Sequence, residues 1–251
     1  MQRLVVSNQQ ISEQTLSLTT DQQHYLKRVL RLQAGDRFLA LNGEGKLWLA
    51  TLTPNNGEAT LSTFSESFSV EPNPLCSKPH ITLAACLPKQ GFDEVIRQVT
   101  ELGVDHIVPV ISDRTLLRPS LNKLKRWQRI SLEAAEQSER LTVPSLSEPI
   151  SWPEWLTKEQ HSQRYLCVAR QSAPSLLVVS LSTNIERIVL AIGPEGGWTS
   201  AEVEQAIAAG YQSVTLGRSI LRAVTASVAA LSILQAGLEF ASIGPYQAIH
   251  S

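Results

Sequence analysis

Ile192-Gly193-Pro194-Glu195-Gly196-Gly197-Trp198 is an apolar run that halts at glycine, and Leu216-Gly217-Arg218-Ser219-Ile220-Leu221-Arg222 repeats the arrangement further along the chain. The residues before each loop, Ile188-Val189-Leu190-Ala191 and Ser213-Val214-Thr215, read as buried strands. Each loop runs into a segment with helical signals. Glycine lets a backbone approach a ligand closely and adopt positive φ. In open α/β sheets, ligands sit outside the carboxyl ends of the strands. The two loops therefore predict one ligand cradle built mainly of main chain. Two tight strand–helix turns with no ligand are the alternative.

The flanking sequence extends the pattern. Thr199-Ser200-Ala201-Glu202 is a capping box, followed by Val203, Ile207 and Ala208 at helical spacing. A long alanine-rich helix is expected over about 221–240. Upstream, 81–87, 107–111 and 165–169 read as strands, as do 188–192 and 213–216. Phe92, Val95, Ile96, Val99 and Leu102 recur at helical spacing, with Gly103 placed as a C-cap. Residues 122–138 read as a further helix. Pro109 argues for an edge strand or a strand end. Alternation of strands and helices predicts a parallel sheet with crossover helices.

Pro72, Pro74 and Pro79 fall within Ser69-Val70-Glu71-Pro72-Asn73-Pro74-Leu75-Cys76-Ser77-Lys78-Pro79, which reads as a linker. It divides the chain into domains 1–72 and 73–251. Before it the pattern is mostly β. Phe38-Leu39-Ala40-Leu41 and Leu47-Trp48-Leu49-Ala50-Thr51-Leu52 flank Asn42-Gly43-Glu44-Gly45, a hairpin signal. A short helix is expected over about 21–30 with Asp21 as N-cap. It would place His24, Arg28 and Arg31 on one side. A compact β-barrel is the expected fold of this module.

Composition narrows the class. The chain has 251 residues, 43% hydrophobic and 18% charged, as in ordinary globular proteins. No apolar run approaches the ~20 residues that span a bilayer, and Met1-Gln2-Arg3-Leu4-Val5-Val6-Ser7 lacks a signal-peptide core. A cytoplasmic protein with no membrane attachment is expected. Cys76, Cys86 and Cys167 have no metal-site spacing, and His24, His80, His106, His161 and His250 are scattered, so no metal is expected. A net charge of −1 excludes a wholly basic nucleic-acid binder. Local clusters, Lys27-Arg28 with Arg31 and Lys123 to Arg129, leave RNA-binding patches open beside solvated helix faces. The glycine loops match no Gly-x-Gly-x-x-Gly, no P-loop and no Gly-x-Ser-x-Gly elbow. A neutral or zwitterionic ligand, with an adenine edge as one candidate, fits backbone loops better than a polyphosphate.

Taken together, Gly193-Pro194-Glu195-Gly196-Gly197, Leu216-Gly217 and Ile220-Leu221-Arg222 resemble the ribosomal RNA uridine-N3 methyltransferases of bacteria, members of the SPOUT superfamily. His24-Tyr25-Leu26 with Val29-Leu30-Arg31, Lys89, Thr100-Glu101-Leu102-Gly103-Val104, and Glu136-Gln137-Ser138 with Arg140 extend the resemblance over nearly the whole chain. The resemblance implies an α/β parallel sheet with a C-terminal trefoil knot, preceded by a small PUA-like β-barrel that binds RNA. It implies S-adenosyl-L-methionine as cofactor, bound at Ile192, Gly193, Pro194, Gly196, Gly197, Leu216, Gly217, Ile220 and Leu221. It implies methylation of uridine N3 in 16S rRNA of the small ribosomal subunit, by a homodimer.

For the chemistry, Arg222 is the first candidate, as a cation favouring the anionic ring, with a phosphate or structural contact as its other reading. Glu195 is a candidate base, with helix capping or loop orientation as the alternative. His24, Arg28, Arg31, Arg114, Arg126, Arg129 and Arg140 are candidate RNA contacts. Substitution of Gly196 by valine is expected to block cofactor binding with little unfolding. Val224, Ser219 and Gln98 stand where the family commonly carries Glu, Arg and Lys. These departures keep two alternatives open. One is a SPOUT enzyme with another target such as a ribose 2′-oxygen. The other is a non-catalytic RNA-binding or assembly protein.

Overall fold

A computed structural model describes residues 1–55, 57–63, 79–115, 118–159, 163–181 and 185–243. The linker expected at 69–79, except Pro79, lies outside the described residues, as do Cys76, His161 and His250. The chain forms two compact units. One comprises Met1–Glu71 with Leu132–Val143, the other Pro72–Ser131 with Pro144–Ser251.

The first unit is a half-barrel sheet. Its strands are β1 (Arg3–Val5), β2 (Ile11–Ser12), β3 (Thr15–Ser17), β4 (Arg37–Leu41), β5 (Leu47–Leu52) and β6 (Glu58–Thr63). They run in the order β1-β4-β5-β6-β3-β2. The β4–β5 hairpin closes where Asn42-Gly43-Glu44-Gly45 predicted. The Asn42 side chain accepts hydrogen bonds from the Glu44 and Lys46 N–H groups, each at 3.0 Å. Leu4, Leu16, Phe38, Ala40, Ala50 and Leu61 fill the core. The Glu136 motif belongs to this unit. Its carboxylate accepts from the Val5 N–H at 2.6 Å, and burial pushes its carboxyl above the usual range.

The expected helix at 21–30 is different in form. Thr19, not Asp21, is the N-cap, in a capping box with Gln22. Helix α1 spans Thr20–His24 and continues as a π-helical turn over Tyr25–Val29, in which the Leu30 N–H bonds to the Tyr25 carbonyl. Arg31 then leaves the helix at φ +57°. The wider π turn shifts the angular phase, so His24, Arg28 and Arg31 do not keep the 3.6-residue register expected of them.

The second unit is a parallel sheet of seven strands. These are β7 (His80–Cys86), β8 (His106–Ile111), β9 (Ser145–Leu146), β10 (Ile150–Ser151), β11 (Gln163–Cys167), β12 (Arg187–Ile192) and β13 (Gln212–Val214). Their order is β10-β8-β7-β12-β11-β13, with β9 also beside β8. The two-residue strands β9 and β10 were too short to show in the sequence. They explain Pro109, which sits inside β8 rather than at an edge strand. Residues 107, 109 and 111 turn their backbone toward β9 and β10, which pair only at 106–107 and 110–111. The missing N–H of Pro109 therefore faces a gap between the two short partners.

Helices cover both faces of the sheet. They are α2 (Phe92–Glu101), α3 (Leu121–Gln137), α4 (Trp152–Lys158), α5 (Leu176–Ser180), α6 (Ser200–Ala208) and α7 (Ala223–Ile243). Period-two alternation separates two cores. Ile188, Leu190 and Ile192 face one cluster with α2 and α7, while Val189 and Ala191 face Trp152, Trp155 and Val203. On α2 the expected stripe is buried, and Gly103 follows the helix at φ +88°. Contrary to expectation, Ala223–Ala241 is long and apolar enough to cross a membrane by length and composition. Its Ser227, Ala230, Leu231 and Leu234 are nonetheless buried on one face, and α7 packs on α2, α5, β7 and β12.

Candidate functional site

The loops after β11, β12 and β13 follow three adjacent strands and leave from their carboxyl ends. Residues 167–171, 192–198 and 215–221 line a cavity of about 550 Å³. That volume falls within the range of about 300–1,000 Å³ typical of small-molecule sites. Every residue assigned to the cofactor from sequence is on this wall: Ile192, Gly193, Pro194, Gly196, Gly197, Leu216, Gly217, Ile220 and Leu221. Two glycines there need their freedom. Gly197 at φ +71° and Gly217 at φ +127° occupy backbone that side chains rarely adopt, and a Cβ on either would meet no atom within 4 Å. Bare main chain thus faces open space at two points of the wall.

Side chains hold the loops in place. The Trp198 indole N–H donates to the Cys167 carbonyl at 3.2 Å, joining the loop after β12 to the end of β11. Its ring lies on Trp152 with centroids 4.5 Å apart. A Cβ on Gly193 would lie 2.9 Å from Trp198 Nε1. We expect Gly193→Ala to displace that indole, costing about 1–3 kcal/mol by overpacking and shifting tryptophan emission. Unchanged emission and stability would show that the indole has room to yield.

The capping box is formed as predicted. The Thr199 N–H donates to Glu202 Oε2 at 2.8 Å, and the Glu202 N–H donates to Thr199 Oγ1 at 3.2 Å. The other oxygen of the buried Glu202 accepts from the Asp113 N–H at 2.9 Å, anchoring the segment that carries Arg114. Arg114 lines the cavity and donates to the Gly196 carbonyl at 2.6 Å. The Cys167 thiol is pushed up to about 12 by burial, so it is no nucleophile at neutral pH.

A second cavity, of about 350 Å³, lies alongside. Pro88, Lys89, Gln90, Glu195, Arg222, Ala223 and Val224 line it. Glu195 and Ala223 line both cavities. Both Glu195 carboxylate oxygens accept from the Lys89 backbone N–H, at 3.1 and 3.2 Å. Glu195 thus ties two loops together rather than capping a helix. Arg222 faces the second cavity and not the first. Of the three departures, Ser219 lines the first cavity, Val224 the second, and Gln98 neither.

None of the other candidates is among the residues lining these cavities. His24, Arg28 and Arg31 are exposed on the first unit, and Arg140 is half-buried there, with its guanidinium 3.4 Å from Thr142 Oγ1. On α3, Arg129 is exposed, and Arg126 pairs with Asp93 at 2.7 Å. Asp93 also accepts from the buried Trp127 indole at 2.8 Å. Among the described residues no three His, Cys, Asp or Glu side chains gather as metal ligands. The sequence reading missed the third wall, 167–171, and the cavity positions of Arg170 and Arg218. A positive φ of +61° marks Arg170, a backbone signal that no residue pattern carries.

The pattern of the RNA methyltransferase domain matches residues 76–235, and that of the RNA methyltransferase PUA domain matches 18–63. A protein of Synechocystis sp. named ribosomal RNA small subunit methyltransferase E is 49% identical, over 94% of this chain and 78% of its own length. The protein of that name from Rickettsia conorii is 32% identical, over 92% of this chain and 93% of its own. The crystal structure of ribosomal RNA small subunit methyltransferase E from Neisseria gonorrhoeae, bound to S-adenosyl methionine, superposes with a TM-score of 0.79 at 32% identity. That superposition covers 94% of this chain and 97% of the other.

Proposed function

As this chain belongs to the RNA methyltransferase family, we propose that it transfers a methyl group from S-adenosyl-L-methionine to N3 of a uridine in 16S rRNA. The SPOUT-type parallel sheet with its PUA-like partner is the architecture of that family. The observation that carries the reading is the first cavity. Three loops close it, and Gly197 and Gly217 leave main chain bare on its wall. The donor set fits the cofactor: backbone amides and carbonyls suit an adenine edge, and a cavity of about 550 Å³ suits a ligand of that size.

When bound there, S-adenosylmethionine supplies an electrophilic methyl on a sulfonium. The chain's part is alignment, which alone removes a large share of such a barrier. Trp198, bonded to Cys167, and Glu195, bonded to Lys89, fix the loops that set that alignment. N3 lies on the Watson–Crick edge, so the target base must be unpaired or drawn out of its stack. Arg222, on the second cavity, is the cation that would favour the ionised ring. His24, Arg28, Arg31, Arg114, Arg126, Arg129 and Arg140 are the proposed RNA contacts, with the PUA-like unit carrying four of them. Arg114 and Arg126 serve their own chain as well, through Gly196 and Asp93.

A homodimer acting in the cytoplasm completes the proposal. Exposed apolar side chains on α5 and α7 support the dimer, among them Val178 at 62% and Phe240 at 54% exposure. The test uses labelled S-adenosylmethionine and small ribosomal subunits from a strain lacking this modification. Calorimetric binding of the cofactor and label recovered as N3-methyluridine are expected. Label on a ribose 2′-oxygen would assign another target. Binding without turnover would leave an assembly protein.

A further inference from the structure

We propose that the second cavity receives the acceptor base and holds it as the N3-deprotonated anion between Lys89 and Arg222, with Glu195 holding the main chain at Lys89. This inference rests on the methyltransferase reading and assigns its acceptor site. The location argues first. Glu195 and Ala223 are walls of both cavities, so a methyl donor in one and an acceptor in the other would be immediate neighbours. The size argues second. At about 350 Å³ the second cavity lies at the small end of ligand sites, as a single nucleobase requires.

The lining supplies the chemistry. Lys89 and Arg222 bring two cations, and Pro88, Ala223 and Val224 bring an apolar surface for a ring face. The single carboxylate, Glu195, accepts the Lys89 backbone N–H through both oxygens. With two cations against one carboxylate, the lining has a net positive charge and is biased toward an anion. A uracil ring that loses its N3 proton spreads the charge over N3 and its two flanking oxygens. Two cationic donors match those oxygens, and opposite charge nearby favours the ionised form. Val224 is apolar, and one of its methyl carbons lies 3.0 Å from where a Cβ of Gly91 would sit.

The step balances. The N3 proton passes to solvent water. The N3 lone pair then forms the bond to the methyl carbon, while the carbon–sulfur bond breaks and its electron pair stays on sulfur. The anionic ring and the cationic donor both end neutral, so Lys89 and Arg222 are needed before the transfer rather than after it.

The test is kcat as a function of pH for the full-length chain, with calorimetry for cofactor affinity. Lys89→Met and Arg222→Met are each expected to leave the S-adenosylmethionine Kd within about twofold. Each should lower kcat at neutral pH by about ten- to a hundredfold, equivalent to one or two pK units of lost stabilisation. The deficit should shrink as pH rises, because hydroxide then removes the proton unaided. Arg222→Lys should retain most of the activity. A deficit equal at every pH would overturn the proposal in favour of a phosphate contact, which does not titrate there. Parallel loss of cofactor affinity would overturn it too. A wild-type chain that binds cofactor but methylates no base nitrogen would instead defeat the functional reading, and this site with it.

Discussion

Gly237→Val should unfold the second unit at markedly lower denaturant than the wild type. Helix α7 crosses α5 at this residue. A Cβ on Gly237 would collide with the Ser180 hydroxyl and lie 2.9 Å from Ser180 Cβ. Ser180 is fully buried and donates to the Leu177 carbonyl at 2.7 Å, so it cannot swing aside freely. In a solitary helix, glycine to alanine gains about 1 kcal/mol. Here the sign should reverse. Gly237→Ala is expected to cost about 1–3 kcal/mol as overpacking, and valine about 3 kcal/mol or more. The denaturation midpoint, followed by tryptophan fluorescence, reads the effect. Ser180→Gly in the same chain as Gly237→Ala should recover part of the loss. A midpoint equal to or above wild type for Gly237→Ala would mean that the two helices part easily. The contact matters beyond stability, because α7 opens with Ala223 and Val224, directly after Arg222, and all three line the second cavity.

Gly217→Val should lose cofactor affinity by about a hundredfold or more, about 2.7 kcal/mol, while the fold persists. The residue is exposed, so little packing is at stake. Its φ of +127° is backbone that a β-branched residue resists, and strain of this kind costs about 1–3 kcal/mol. Valine would pull the loop toward allowed dihedrals and place methyl groups where main chain lines the cavity. Calorimetry with S-adenosylmethionine measures the loss, and the denaturation midpoint controls for unfolding. Wild-type affinity in this variant would remove the loop from the binding site. Gly196→Val, the substitution singled out from sequence, should act more mildly. A Cβ there would meet Arg114 Cδ at 3.1 Å, part of a long side chain that can move.

Much of the second unit was legible because its strands are buried on both faces. Ile188-Val189-Leu190-Ala191-Ile192 is apolar throughout, and glycine marks where the run must turn. The capping box at Thr199 and the stripe from Phe92 to Val99 are local patterns, and both formed as read. Short elements failed for the opposite reason. Strands β9 and β10 have two residues each, and helices α4 and α5 seven and five, too few for any period to show. The π turn after α1 failed because a wider turn leaves no residue-type signal in Tyr25–Val29.

From its residues alone, this chain declared two glycine loops at strand ends, a β-rich module ahead of them, and the family that both resemble. Those features are local, set by side-chain volume, hydrophobic alternation and permitted φ. Tertiary structure decided what stands beside them. Strand order β12-β11-β13 brings the segment 167–171, whose first residues read only as a strand, in as the third wall. Folding also carries Glu195 across 106 residues to the Lys89 amide and sets Arg222 on a separate cavity. Such pairings depend on the order in which parallel strands add to the sheet, and no local preference along the chain encodes that order.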